Sequence, residues 1–281
     1  MDKPWDYFPV EKKLYVIKCG GSFVMKKQWI TPFLSMVKEL VEKSNFVIII
    51  HGGGPQADHL AHKLKVPVKK IDGKRVTNFQ TLQIAKMTYA GLINTDLVSL
   101  CISQDIQAIG ISGVNGKLAE VTKRPKTLGV DFGYVGDIKK INKKLLQLLL
   151  ENGYVPVVSS LGVDHTGQVF NINADSLAAN IAVSLKASKL IFISDVVGVA
   201  RDQKQGKFLR NLSRSKASEL ISKGVITGGM IPKVENAYLA LGKGVECVQI
   251  LGPLKTKKEC EDAVLNDTSG TILKLSRPHS H

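Results

Sequence analysis

No apolar run in the chain approaches the roughly 20 residues that a membrane-spanning helix needs. The opening stretch MDKPWDYFPVEKK also has no secretory h-region. Both absences set the expectation of a cytoplasmic chain that makes no membrane contact. Cysteine is sparse: Cys19, Cys101, Cys247 and Cys260 stand far apart in 281 residues and form no CxxC pair. Such spacing reads as reduced, mostly buried thiols rather than a disulfide framework or a thiolate metal site. The pair His59/His62 reads as a solvated helix face and the HSH end as a tail, so no metal site is expected. Acidic residues are in deficit, 24 against 39 lysines and arginines, giving a net charge of +15. A field of that sign draws anions. Aromatics make up only 6% and form no RNA-recognition motif, and no helix-turn-helix is recognisable, so anionic small molecules rank above nucleic acid as partners. The Walker A spacing G-x-x-x-x-G-K-[ST] is missing too, so a nucleotide must be held without a P-loop.

What the chain does have is FVIIIHGGGP, residues 46–55. Five apolar, mostly β-branched residues predict a strand buried on both faces of a parallel sheet. Three glycines follow, then a proline suited to the first turn of a helix. Strand, side-chain-free turn and helix N-terminus together present backbone N–H groups and a positive dipole end, a seat for an anion. The same alternation recurs along the chain. LYVIKC (14–19) reads as a strand running into Gly20-Gly21-Ser22, and residues 29–43 as a helix. A long helical pattern reaches from beyond Thr77 to about Gln104, and Ala108–Ile111 reads as a strand. Residues 117–142 read as hairpins over one end of the sheet. A helix KKLLQLLLENG, a strand YVPVVSS and a helix capped by Asn173 follow; then come KLIFIS, a helix SRSKASELISKG, a helix from Met230 and a strand CVQIL. Strands alternating with helices predict an α/β fold, an open three-layer αβα sandwich with a mostly parallel central sheet. The lobe junction is placed near Ala187, giving an N-terminal lobe 1–186 and a C-terminal lobe 187–281.

The turn GGGPQA also satisfies G-x-G-x-x-[GA], which keeps a dinucleotide-binding dehydrogenase or regulator open. That fingerprint wants an acidic residue at a strand tip about 20 positions later. Asp72 falls near there, but in the lysine-flanked turn KKIDGKR.

KCGGS, HGGGPQ, DGKRVT, NINADS and GGMIPKVENA, in this order over residues 14–275, resemble the amino acid kinase family. The likeness is to members that phosphorylate the γ-carboxylate of N-acetyl-L-glutamate in arginine biosynthesis. It implies ATP with Mg²⁺ as a substrate complex, Lys18 and Lys233 on the transferring phosphoryl group, and Asp175 orienting both. It further implies substrate contacts from Gly53, Gly54, Arg75 and Asn171, and a phosphate-binding backbone at Gly20 and Gly21. ATP would lie along Asp195, Val196, Gly198 and Val199 and along Val225, Ile226 and Thr227. The chemistry suits these residue types. A glutamate side chain, with a pKa of about 4.3, is already an ionised nucleophile at neutral pH and needs no general base. Repulsion between it and the γ-phosphoryl group is the obstacle, so cations and backbone N–H groups should crowd the reacting atoms. Lys18 interrupting an apolar strand points the same way without any resemblance.

KRPKTLGVDFGYVGDI resembles a subset of the family that takes an N-succinyl group. Ser22, Asn115 and Thr95 depart from common family residues and leave the acyl group open, including a glutamate or aminoadipate carried on a small acidic protein. The short extension before the first strand does not resemble the long N-terminal helix of arginine-inhibited hexameric relatives. An apolar stripe from Leu82 to Leu100 exceeds what one sheet face covers, and relatives pair through the equivalent helix, so a homodimer is expected.

Overall fold

The computed structural model describes residues 12–71, 74–126, 129–202 and 207–275. An eight-stranded sheet forms its centre, in the order Asn211–Leu212, Thr271–Leu273, Cys247–Leu251, Lys189–Ile193, Leu14–Cys19, Phe46–His51, Val155–Ser159 and Ala108–Ser112. The six strands from Cys247–Leu251 to Ala108–Ser112 run parallel, and Thr271–Leu273 joins antiparallel at one side. Among the described residues no helix is long and apolar enough to cross a membrane.

Period-two alternation explains the three layers. On Leu14–Cys19 the side chains of Leu14 and Val16 enter one cluster, with Ile48, Ile50, Leu177, Ile181, Val234 and Ala237. Tyr15, Ile17 and Cys19 enter the other, with Phe33, Leu34, Ile84, Leu97 and Ala263. Helices Lys143–Glu151, Ala174–Ser184, Arg214–Ser222 and Met230–Gly242 therefore cover the first face, and Lys27–Glu42, the 79–102 helix and Lys257–Leu265 the second. The Asn173 cap expected from sequence is present, accepting from the Ser176 N–H, and Ser213 caps a second helix by accepting from the Lys216 N–H.

Two regions differ from the sequence expectation. The 79–102 helix is not uniform: a π-helical segment, Lys86–Ile93, lies between α-helical Phe79–Ala85 and Asn94–Ile102. The Lys257–Leu265 helix, with a Thr256/Glu259 capping box, and the Thr271–Leu273 strand lie beyond the last element expected from periodicity. A four-stranded sheet, Val169–Asn171, Leu161–Val163, Ala119–Lys123 and Gly136–Ile141, and a hairpin, Lys69–Ile71 with Lys74–Val76, complete the half built from residues before 187. The expected hairpin over residues 117–142 is thus part of a larger sheet. His279 and His281, the opening stretch up to Glu11, and Asp72 and Gly73 lie outside the described residues.

Candidate active site

The parallel strands all end on one side of the sheet, the side where open α/β sheets bind ligands. Leu14–Cys19 leads there into Gly20-Gly21, Phe46–His51 into Gly52-Gly53-Gly54, and Lys189–Ile193 into Ser194-Asp195. Lys18 lies on the same strand face as Leu14 and Val16, level with Ile50 and Phe192. A valine or isoleucine in such a row contributes roughly 1.5–3 kcal/mol by burial. A lysine forgoes that and needs a counter-charge. Asp175, in the first turn of the helix capped by Asn173, supplies it: Lys18 Nζ is 2.9 Å from Asp175 Oδ1. Lys233 Nζ, from the Met230–Gly242 helix, donates to Asp175 Oδ2 at 3.0 Å and lies 5.3 Å from the centroid of the Phe192 ring. The Lys18, Asp175 and Lys233 side chains are 13, 10 and 8% exposed, so Lys233 is no solvent-facing helix residue.

Burial alone would raise the Asp175 pKa, but the charges of Lys18 and Lys233 outweigh it and hold the carboxyl below its ordinary value. Burial pushes the Lys233 ammonium down and the Lys18 charge adds to that, against the pull of Asp175 and Asp195. Two cations share one carboxylate in a nearly dry place. The cluster carries a surplus positive charge that an anion would relieve.

The glycines divide into two kinds. A Cβ on Gly53 would sit 2.3 Å from Ile93 Cδ1 and 2.7 Å from Tyr89 Cδ1, and one on Gly21 would be 2.8 Å from Gln56 Oε1. These two are needed because protein atoms press on them; Gln56 Nε2 in turn donates to the Gly21 carbonyl at 2.6 Å, locking the two turns together. A Cβ on Gly54 would meet nothing within 4 Å, and one on Gly20 only the Ile193 carbonyl at 3.6 Å.

Arg75 is not a surface turn residue. Its side chain is 8% exposed, with Nη2 2.7 Å from Asp58 Oδ1 and donating to the Gly54 carbonyl at 3.0 Å. The hairpin thereby brings a guanidinium to the rim of the glycine turn. Asn171 Nδ2 donates to Thr77 Oγ1 at 3.2 Å, and the Asn171 N–H to the Tyr134 carbonyl. Arg75, Thr77 and Asn171 therefore line one continuous region beside the turn. The stretch expected to hold a nucleotide lies on the other half. Asp195 and Val196 are exposed, Gly198 packs against Thr271, and Val199 is buried with its N–H donating to Thr271 Oγ1 at 2.8 Å. Ile226 is buried, Val225 half-buried and Thr227 exposed, just before the N-terminus of the helix that carries Lys233.

Two polar residues escaped the sequence analysis. His51, fully buried at the strand end, has Nδ1 2.9 Å from the Gly52 carbonyl and Nε2 3.0 Å from Asn94 Nδ2. Asn94 Nδ2 also donates to the Val157 carbonyl at 2.9 Å. The adjacent glycines draw the eye from the histidine, and its partner is 43 residues away. Of the departures from family residues, Asn115 accepts from both the N–H and the hydroxyl of Ser112 at 2.8 Å, an acceptor's task that an aspartate would also perform. Thr95 is exposed on its helix. Among the described residues no three His, Cys, Asp or Glu side chains group as metal ligands; His59 and His62 are exposed on the Gly54–Lys63 helix.

The fold and this cluster mark a class: the profile of the amino acid kinase family matches residues 13–252, and the chain belongs to that family. Among curated proteins it is 40% identical to the acetylglutamate kinase of Geobacillus kaustophilus, over 85% of this chain and 90% of the relative. It is 37% identical to that of Methanopyrus kandleri, over 92% and 96%. Of solved structures, smu.665 from Streptococcus mutans superposes with a TM-score of 0.80 at 31% identity, covering 93% of this chain and 98% of the other. A carbamate kinase from Giardia, at 15% identity and a TM-score of 0.68 over 94% and 99%, shares the fold.

Proposed function

We propose that this chain is an acetylglutamate kinase: it transfers the γ-phosphoryl group of ATP to the γ-carboxylate of N-acetyl-L-glutamate, a step of arginine biosynthesis. The observation that carries this reading is the buried Lys18–Asp175–Lys233 cluster with its surplus charge at the glycine-rich strand ends. A carboxylate oxygen attacks the γ-phosphorus while the bond from phosphorus to the β–γ bridging oxygen breaks. ADP departs with that electron pair, and no proton need move. Charge spreads over the transferring group as this happens. Lys18 and Lys233, pre-aimed by Asp175, then meet it without reorganisation, and the backbone at Gly20, Gly21, Gly53 and Gly54 adds N–H donors. Arg75 takes the α-carboxylate of the substrate and Asn171 its amide region. In this division of labour residues 1–186 hold the acylglutamate and residues 187–281 hold ATP, along Asp195–Val199 and Val225–Thr227. Mg²⁺ comes with the ATP as part of the substrate, because the buried carboxylate of the cluster is already occupied by two ammonium groups.

The reading includes a cytoplasmic homodimer. Of the stripe Leu82–Leu100, Leu82, Ile84 and Leu97 are buried in this chain's own core, whereas Met87 and Leu92 are more than half exposed, and it is these two that suit a second copy. Light scattering at micromolar concentration should give twice the chain mass; a monomer removes this part.

An ADP-release assay over N-acetylglutamate, N-succinylglutamate, free glutamate and α-aminoadipate tests the whole, with hydroxylamine trapping of the acyl phosphate. N-acetylglutamate should turn over fastest and yield a hydroxamate. No turnover with any carboxylate, together with tight NAD(H) binding and no effect of ATP, would end the kinase reading.

A further inference from the structure

His51 stands where the buried strand gives way to the glycine turn, and its bonding settles its chemical form. Asn94 Nδ2 has two hydrogens; one goes to the Val157 carbonyl and the other to His51 Nε2. Nε2 is thus an acceptor and carries no proton, so Nδ1–H is the donor to the Gly52 carbonyl. Burial drives the imidazole pKa down to about 4, so this neutral form holds throughout the physiological range.

Asn94 reaches His51 because the helix changes its winding. On an α-helix, at about 100° per residue, positions five apart point about 140° away from each other. The Lys86–Ile93 segment is π-helical, with i→i+5 bonding, which brings positions five apart onto one side. Tyr89 and Asn94 are five apart, and both face the strand ends: Tyr89 and Ile93 lie against Gly53, and Asn94 reaches the ring that holds Gly52. One helix therefore grips two successive residues of the turn, Gly52 through a polar relay and Gly53 through apolar contact.

We infer that His51 and Asn94 are positioning residues for phosphoryl transfer, setting the peptide plane at Gly52–Gly53 so that its N–H serves the transferring group. The consequence follows from planarity. In a trans peptide the C=O and N–H point in opposite directions. With the Gly52 carbonyl held inward by His51 Nδ1–H, the Gly53 N–H is turned away from the buried ring. Without the relay that plane is free to rotate, because neither flanking glycine has a side chain to stop it. Donors that must already point at developing charge then reorganise at the moment of reaction, which is where rate is lost. The inference rests on the kinase reading for its rate consequence, while the tautomer and its dependence on Asn94 stand apart from that reading.

Two measurements on the full-length protein test it. The first is ¹⁵N NMR of protein labelled in its histidine rings, with the His51 signal assigned by its loss in His51→Asn. His51 should give a neutral Nδ1–H pattern unchanged between pH 8 and pH 5.5, and Asn94→Ala should shift it toward a tautomer mixture. A neutral Nε2–H pattern, or no response to Asn94→Ala, overturns the relay whether or not the enzyme is a kinase. The second is steady-state kinetics on variants whose circular dichroism and melting show them folded. His51→Leu should lower kcat tenfold to a hundredfold, with KM for ATP and for the acylglutamate each within threefold. His51→Asn places an amide N–H near the Nδ1 position and should recover at least half of that loss on a logarithmic scale. Should His51→Leu fail to fold, Asn94→Ala carries the same split with a smaller fall. A purely structural histidine would lower the melting temperature and leave kcat of the folded enzyme within twofold, and that result would overturn the positioning role.

Discussion

Asp175→Asn is the most incisive single change, because it keeps volume and polarity and removes only the charge. Asp175 faces Lys18 Nζ at 2.9 Å and Lys233 Nζ at 3.0 Å. At an effective dielectric of about 20 each contact is worth about 5–6 kcal/mol of attraction. Desolvating three charged groups consumes most of this, and breaking a buried pair by removing one partner costs about 3–5 kcal/mol net. At roughly 2 °C per kcal/mol for a chain of this size, the variant should melt about 6–10 °C below wild type at pH 7. The pH dependence carries a sign. The folded pKa of Asp175 is depressed, so its contribution is present above the unfolded value of about 3.9 and is lost as pH falls through the folded pKa. Lys233 is depressed as well. Between its folded pKa and about 10.4 the unfolded chain binds the extra proton, so its penalty is full below that window and lifts as pH rises. Removing Asp175 deepens this penalty, because the carboxylate was what held the ammonium charged. Thermal melts by circular dichroism from pH 8 to pH 3 should therefore show wild type and variant converging at acid pH and separating toward neutrality. With the two ammonium groups no longer aimed, kcat should fall by about a hundredfold to a thousandfold. A variant melting within 2 °C of wild type at pH 7, with kcat within twofold, would refute both the electrostatic account and the role given to the cluster.

Three further expectations concern neighbouring residues. Lys18→Arg should stay folded but recover less than a tenth of wild-type kcat, since a planar fork cannot take the place of a compact ammonium between strand and helix; near-normal turnover in steady-state assays would contradict this. Arg75→Ala should raise KM for the acylglutamate roughly tenfold to a hundredfold while moving KM for ATP much less, because a charge-assisted contact of about 1.5–3 kcal/mol is lost equally from ground and transition states. An unchanged acylglutamate KM would assign Arg75 solely to Asp58 and the Gly54 carbonyl. Gly53→Ala should cost about 1–3 kcal/mol in urea unfolding, because its methyl group would overlap Ile93 and Tyr89, whereas Gly54→Ala should leave stability within about 0.5 kcal/mol. Equal destabilisation by the two would show that packing does not distinguish them.

The parts of the site legible in the sequence are those whose signal is local. A lysine in an apolar strand, glycines after β-branched residues, and an Asn173 cap with Asp175 two positions on all declare themselves within a few residues. Order of motifs then associates Lys18, Asp175 and Lys233, and the structure brings these three together. What was not legible depends on distant partners. Arg75 looks like a turn residue until Gly54 and Asp58 are folded against it. His51 looks like an ordinary strand end until Asn94 arrives. The π segment is hidden because Lys86, Met87, Ala90 and Leu92 suit an α-helix equally well, and close packing of Tyr89 and Ile93 on the glycine turn accompanies a winding that local propensity does not favour. The Thr271–Leu273 strand has only three residues, too few for periodicity to register.

Lys18 also has a part to play before any substrate is bound. The strand it belongs to lies inside the finished sheet, yet its two neighbours stand far apart in the chain. Phe46–His51 follows closely, but on the other side the Leu14 N–H donates to Ser188 Oγ, 174 residues further on, where Lys189–Ile193 begins. At synthesis rates of about 5–20 residues per second, that edge stays open for roughly ten to thirty seconds. An unpaired edge of LYVI is the kind of template on which nascent chains associate wrongly, and a charged residue within such an edge discourages it. The lysine that pairs with Asp175 in the finished fold thus guards its own strand while the remainder of the sheet is still being made.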